Sequence, residues 1–217
     1  MSLNTGNTGN IKRCAIALTG FALFSSAHMA NAADNHSPAE LASMLSKGGY
    51  VVYIRHTTTE KDYADQVNAE IGNCSTQRTL SEKGWDEAEL IGASFDILNI
   101  PVGALYSSEY CRAWKTARIA FGKPIKRPGL NFEPAEEYTD AQTAKMSAAV
   151  VPMISEPPSN ASNTIIVGHD DPFEAATGIY PEPQGVTFVV HPKGDGKFEV
   201  MGSIKPDEWA AILSKTN

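Results

Sequence analysis

The sequence lacks several features that mark common functional classes. It contains neither a GxGxxG nor a GxxxxGK[ST] phosphate loop, which argues against an enzyme built around a nucleotide cofactor. It has no apolar run of about 20 residues, the length that crosses a bilayer core, so no stable membrane anchor is expected. Its 18 Lys and Arg residues are fewer than its 25 Asp and Glu residues. That deficit of positive charge argues against general binding to nucleic acid or to anionic membranes.

The N-terminal segment has the features of a secretory signal. A stretch without acidic residues ends at Arg13, residues 14–26 are apolar, and a small-x-small cleavage pattern ends at Ala32. A membrane anchor is the alternative, but the apolar run is too short to span a bilayer. We therefore predict that residues 1–32 are a signal peptide cleaved near Ala32 and that residues 33–217 form a single domain that is periplasmic or secreted. Cleavage leaves 16 basic and 25 acidic residues, a net charge of −9.

Cysteine is scarce, with three residues in the whole chain. Cys14 is removed with the predicted signal peptide, so Cys74 and Cys111 remain. An even number of cysteines in an oxidising compartment is compatible with one disulfide. Two separate buried thiols are the alternative. The spacing of these residues is not that of a zinc site.

Apolar runs alternate with helical patterns along the predicted domain. Alternation of this kind predicts an α/β fold with a largely parallel sheet. A glycine-rich turn at 194–196 between two apolar runs predicts a hairpin, and hence an antiparallel edge. Residues 57–77 and 123–138 are predicted to be irregular. The predicted strands are 50–54, 103–107, 163–167, 186–190 and 198–204, and the longer predicted helices are 80–100, 108–122 and 140–154.

Cationic or titratable side chains follow three of the predicted strands. Arg55 and His56 follow the first, Arg112 begins the helix after the second, and His169 follows the third. Ligands of open α/β sheets bind outside the carboxyl ends of the strands, so these four residues meet if the strands are neighbours. Guanidinium groups bind a phosphoryl group through paired hydrogen bonds. One imidazole can attack phosphorus while the other, protonated, stabilises the developing charge.

Four ordered motifs carry a resemblance to a known family. They are Tyr-Ile-Arg-His-Thr at 53–57, Arg-Thr-Leu-Ser-Glu-Lys-Gly at 78–84, Ser-Ser-Glu-Tyr-Cys-Arg-Ala-Trp-Lys-Thr-Ala at 107–117 and Ile-Val-Gly-His at 166–169. Together, over about residues 50 to 205, they resemble branch 1 of the histidine phosphatase superfamily, the phosphoglycerate-mutase-like proteins. The predicted export and the paired cysteines resemble its small periplasmic members, a group that includes lipopolysaccharide core phosphatases. The resemblance implies a three-layer α/β/α sandwich with a mostly parallel central sheet.

The resemblance also implies a mechanism. His56 would be the nucleophile that becomes phosphohistidine, and Arg55, Arg112 and His169 would form the phosphate pocket. Arg78 could bind substrate, or could form a surface ion pair. We therefore expect an exported monomeric phosphatase that needs no metal or organic cofactor and acts on a small phosphorylated substrate. A phosphate-binding protein that has lost turnover is the alternative.

The sequence departs from the family pattern at two points. Thr57 stands where the family has glycine. The family's general acid is a glutamate two residues after a leucine, but Leu130 is followed at that spacing by Phe132. A site without this acid would favour good leaving groups such as phosphohistidine, because a poor leaving group needs a proton in the transition state. The candidates for the acid are Glu133, Glu136 and Glu137.

Overall fold

The computed structural model describes residues 36–60, 69–135, 137–159 and 161–215. The predicted signal peptide and Glu136 lie outside these residues. The helices of the described part are α1 (Pro38–Leu45), α2 (Glu82–Ile97), α3 (Cys111–Phe121), α4 (Asp140–Ser155), α5 (Asp170–Thr177) and α6 (Pro206–Ser214). The strands are β1 (Val51–Arg55), β2 (Val102–Ser107), β3 (Ile125–Lys126), β4 (Asn163–Gly168), β5 (Thr187–Gly194) and β6 (Lys197–Ile204).

The strands form one six-stranded sheet in the order β3-β2-β4-β1-β5-β6. Strands β3, β2, β4 and β1 pair in parallel, whereas β1 with β5 and β5 with β6 pair antiparallel. The predicted parallel sheet with an antiparallel edge is therefore confirmed. Strands β2, β4 and β1, which precede the candidate site residues, are direct neighbours.

Helices cover both faces of this sheet and give the expected three-layer sandwich. Residues of β1 alternate between the two faces, as the two-residue period of a strand requires. Val52 and Ile54 pack into the core cluster with Trp209 of α6, and this cluster also includes residues of α1, α2 and α3. Val51 and Tyr53 pack into the opposite cluster, which includes residues of α4 and α5. A strand buried on both faces has the continuous apolar sequence that predicted β1.

Local sequence signals explain where several helices begin and end. A capping box formed by Ser37 and Glu40 starts α1, and a second formed by Thr139 and Gln142 starts α4. Gly178 adopts a left-handed conformation after α5, which glycine does at little cost. No helix in the described ranges is long and apolar enough to cross a membrane.

The stretch 123–138, predicted as irregular, contains a short strand and a 3-10 turn. Strand β3 pairs with the end of β2, and the amide of Arg127 donates to the carbonyl of Ser107 at 2.8 Å. The turn spans Pro128–Leu130 and buries the Leu130 side chain completely. A two-residue strand is too short to show a hydrophobic period, which is why the sequence did not indicate it.

Candidate active site

The ends of β1, β4 and β2 are joined by backbone hydrogen bonds that continue past the strands. The amide of His56 donates to the carbonyl of Gly168 at 3.0 Å, and the amide of Ser108 donates to that of Val167 at 3.0 Å. These bonds hold the three strand ends side by side. The structure therefore brings His56, Arg112 and His169 together, and their exposed fractions are 1%, 3% and 0%.

His56 presents Nε2 as its unprotonated nitrogen. Its Nδ1 lies 2.9 Å from the carbonyl oxygen of Thr57, and because a carbonyl only accepts, Nδ1 must carry the proton. On the other side of the ring, Nε of Arg112 donates to Nε2 at 3.1 Å. Burial and the positive charge of Arg112 hold the pKa of His56 well below its usual value. A neutral imidazole with its lone pair on Nε2 is the form that can act as a nucleophile.

Thr57 fits the position where the resembled family has glycine. Positive φ outside glycine occurs, among the described residues, only at Asn99, Ala161 and Asp195, so the backbone at Thr57 does not require glycine. The amide and the hydroxyl of Thr57 lie 3.2 Å and 3.0 Å from Oγ1 of Thr116 in α3. This departure from the family pattern therefore does not distort the turn after His56.

His169 lies at the junction of β4 and α5, with its ring 5.4 Å from that of His56. Tyr53 fixes its backbone, because the Tyr53 hydroxyl donates to the His169 carbonyl at 2.8 Å and accepts from the His169 amide at 3.1 Å. The rings of Tyr110 and Phe132 meet the imidazole edge-on at 5.3 Å and 4.9 Å. Burial first, and then the charge of Arg112, lower the pKa of His169 well below its usual value.

Arg112 is held in place by two aromatic rings and by the bonds of the neighbouring residue Cys111. Its guanidinium lies 5.1 Å from the ring centre of Tyr110 and 5.2 Å from that of Phe132, within the range of cation–π attraction. The preceding residue, Cys111, forms a disulfide with Cys74, which is the first of the two alternatives that the sequence left open. The Cys111 amide also donates to Oε1 of Gln77 at 2.7 Å. The segment before Leu80 is thus fastened to the start of α3.

Arg55 has other partners than those expected of a phosphate ligand. Its guanidinium forms an ion pair with Asp170 at 2.6 Å and donates to the carbonyl of Pro181 at 2.8 Å. Glu182 lies 3.6 Å away and the ring of Tyr180 lies 5.4 Å away. Arg55 still contributes to the lowered pKa of His56. Arg55 therefore adds positive charge to the site while its two terminal nitrogens contact α5 and the segment after it.

The charge of Arg78 contributes to the lowered pKa of both histidines. Its Nε is buried and has no hydrogen-bond partner within the described ranges. The arrangement is compatible with the substrate-binding role that was one of the two alternatives for Arg78.

The structure describes two of the three candidate general acids, Glu133 and Glu137. Phe132, at the position of the family's glutamate, lies against His169 and Arg112 and offers no proton. Glu133 forms an ion pair with Lys145 of α4 at 2.7 Å, and Glu137 is exposed. Glu136 lies outside the described residues.

Sequence reasoning missed two acidic residues directly after His169. Asp170 binds Arg55, as described, and accepts from the Tyr180 hydroxyl at 2.9 Å. Asp171 accepts from the Tyr138 hydroxyl at 3.0 Å, and burial together with the charge of Asp170 raises its pKa. The signal was a pair of acids at the start of a helix that follows a candidate site histidine.

Comparison with known proteins shows the fold. The histidine phosphatase SixA, solved with tungstate, superposes with a TM-score of 0.53 at 15% sequence identity, covering 73% of this chain and 98% of SixA. A candidate alpha-ribazole-5'-P phosphatase from Escherichia coli K-12 superposes with a TM-score of 0.52 at 14% identity, covering 70% of this chain and 94% of its own. No family model and no curated protein matches the sequence. The chain therefore has the phosphoglycerate-mutase-like fold of the histidine phosphatases.

Proposed function

We propose that this protein is a phosphatase that transfers a phosphoryl group to His56 Nε2 and then to water. The observation that carries the proposal is the state of His56: Nδ1 donates to the Thr57 carbonyl, and Nε2 keeps its lone pair, which accepts a hydrogen bond from Arg112 Nε. A second buried imidazole, His169, lies beside it. This is the arrangement that nucleophilic attack on phosphorus requires.

The reaction follows from these contacts in two displacements. His56 Nε2 attacks phosphorus, the bond to the leaving-group oxygen or nitrogen breaks, and a phosphohistidine forms. Arg112 exchanges its bond to Nε2 for bonds to the phosphoryl oxygens, where a guanidinium can donate twice. His169 stabilises the charge that develops on these oxygens. Water then attacks the phosphohistidine, phosphate leaves, and Nε2 regains its lone pair.

The names of the two structural neighbours are compatible with this reaction, since one is a protein histidine phosphatase and the other a candidate phosphatase of a phosphate ester. They differ in the leaving group. Phe132 beside His169 cannot protonate a leaving group, and Glu133 is paired with Lys145. We therefore propose that a good leaving group is preferred, unless another acid supplies a proton.

A protein that binds phosphate without turnover is the second candidate, and Phe132 is the observation that favours it. If no acid serves the leaving group, the same cationic pocket would bind a phosphorylated ligand and release it unchanged. The two candidates differ in one measurable respect, which is whether inorganic phosphate is released.

We also propose that the protein is exported as a monomer, with residues 1–32 removed. The Cys74–Cys111 disulfide supports the export, because disulfides persist in oxidising compartments. N-terminal sequencing of the protein from the extracytoplasmic fraction should begin near Ala33. A protein that retains Met1 in the cytoplasm would contradict it.

The function is tested by phosphate release from aryl phosphates, sugar phosphates and a phosphohistidine peptide. His56→Ala should abolish release while the variant still folds, which thermal unfolding would show. His191→Ala is the matched control, because His191 lies on β5, bonded to Lys193 and away from the strand ends, and it should retain full activity. Activity in His56→Ala would refute the nucleophile, and tight binding without release from any compound would favour the binding protein.

A further inference from the structure

His169 is the end of a chain of hydrogen bonds whose other members the sequence did not indicate. Its Nε2 lies 2.8 Å from Oγ of Ser108, which lies 2.8 Å from Oδ1 of Asn131. Nδ2 of Asn131 in turn donates to Oε2 of Glu109 at 2.9 Å. Ser108 and Glu109 precede α3, and Asn131 follows the 3-10 turn after β3. This series of hydrogen bonds determines which nitrogen of His169 carries the proton.

The orientation of the Asn131 amide is fixed by two partners, one of which can only accept a hydrogen bond and the other only donate one. The Glu109 carboxylate only accepts, so the amide atom facing it must be the NH₂ group. The Glu109 backbone N–H only donates, and it lies 2.9 Å from the other amide atom, which must be the oxygen. Both constraints give the same orientation, with Oδ1 facing Ser108.

The Ser108 hydroxyl can donate one hydrogen bond, and it donates that bond to Asn131. Because Oδ1 of Asn131 only accepts, the Ser108 hydroxyl must donate to it. The amide of Tyr110 donates to the same Oγ at 3.2 Å. Oγ can therefore only accept from His169, so Nε2 of His169 carries the proton. The neutral ring then has its lone pair on Nδ1, which is buried and without a hydrogen-bond partner among the described residues.

We propose that Asn131 is a positioning residue that holds His169 in the Nε2–H tautomer, so that Nδ1 is the nitrogen that meets the phosphoryl group. The inference rests on the proposed phosphatase function and deepens it. Neutral Nδ1 can take the proton of a phosphate monoanion, and the resulting imidazolium donates that proton in a hydrogen bond to the dianion. With the other tautomer, Nδ1 would already carry a proton and could not accept one.

The direct test is nitrogen NMR of protein labelled with ¹⁵N-histidine, in which the two tautomers give different shifts for Nδ1 and Nε2. Wild type should show His169 protonated on Nε2 at neutral pH. Asn131→Ala removes the acceptor, so the Ser108 hydroxyl becomes free to donate to Nε2 and the Nδ1–H form should become the major one. The double variant Asn131→Asp/Glu109→Gln keeps an oxygen in front of Ser108 and keeps a donor facing an acceptor between positions 109 and 131, so it should retain the Nε2–H form.

The kcat of each variant should depend on which tautomer of His169 is the major one. We expect kcat to fall roughly 100-fold in Asn131→Ala, within the range of acid–base contributions, while KM changes little. The double variant Asn131→Asp/Glu109→Gln should keep most of the wild-type kcat. Thermal unfolding shows whether each variant folds. If Asn131→Ala does not, Ser108→Ala provides a second probe, because Nε2–H then loses its acceptor and a mixture of tautomers should appear.

Three results would overturn the inference: a wild-type His169 protonated on Nδ1, an unchanged tautomer in Asn131→Ala, or a shifted tautomer with unchanged kcat. A failure of the proposed function would look different. In that case wild type would release no phosphate, while the spectra would still show whether Asn131 fixes the tautomer.

Discussion

Loss of the Cys74–Cys111 disulfide should destabilise the protein strongly, because this bond closes a long loop. The two cysteines are 37 residues apart. In the chain-entropy description, closing a loop of this length removes unfolded-state entropy equivalent to about 4 kcal/mol at 25 °C. In a domain of this size, about 4 kcal/mol corresponds to a fall of roughly 10 °C in Tm.

The assay is thermal unfolding of the Cys74→Ser/Cys111→Ser double variant beside wild type, each with and without a thiol reductant. Reduced wild type is the matched control, and it should unfold close to the double variant. The reductant should not change the Tm of the variant. A difference below about 3 °C between the oxidised protein and the variant would refute the reasoning, since it would mean that the loop is equally restricted without the bond.

Activity should suffer less than stability from this change. The amide of Cys111 keeps its bond to Gln77, and the Arg112 guanidinium keeps its two aromatic neighbours. We therefore expect kcat at 20 °C to stay within about threefold of wild type, because Arg112 keeps its position in the site. A much larger loss would show that the disulfide itself positions Arg112.

Other predictions concern the residues around His169. Tyr53→Phe should lower the free energy of unfolding by about 1–3 kcal/mol in urea titration, because the amide and carbonyl of His169 lose their buried partner. Gly168→Ala should destabilise too, since a Cβ there would lie 2.2 Å from the Tyr53 hydroxyl, and the double variant should lose less than the sum of the two; additive losses would contradict this contact. Both site histidines have a lowered pKa, so below about pH 6.5 the unfolded chain binds more protons than the folded protein. Unfolding free energy should therefore fall by about 1 kcal/mol per histidine between pH 7.5 and 5.5, and a His56→Asn variant should lose less over that interval.

The strand ends could be predicted because each element carried its own signal. The continuous apolar sequence of β1 predicted a strand buried on both faces, and His56 followed directly after it. The largely parallel sheet also followed from the alternation of strands and helices, since parallel neighbours need a helical connection, but the order of the strands did not follow from it. These features depend on local sequence and on general rules of sheet topology.

The partners within the site could not be predicted, because they come from segments distant in the chain. Arg55 meets Asp170 across 115 residues of sequence, and the loop geometry that brings them together has no periodic pattern. Asn131 reaches Ser108 from the irregular stretch after β3. Phe132 was visible only as a departure from a family pattern, and its contact with His169 required the structure.

The most direct test of the account is to identify the residue that carries the phosphoryl group during turnover. Protein mixed with a labelled aryl phosphate and quenched in alkali within the first turnover should carry the label on the peptide that contains His56. The bond should survive alkali and break in acid, as a phosphoramidate does, and fragmentation should place it on His56. Turnover with label on another residue, or equal labelling in His56→Ala, would contradict the central claim.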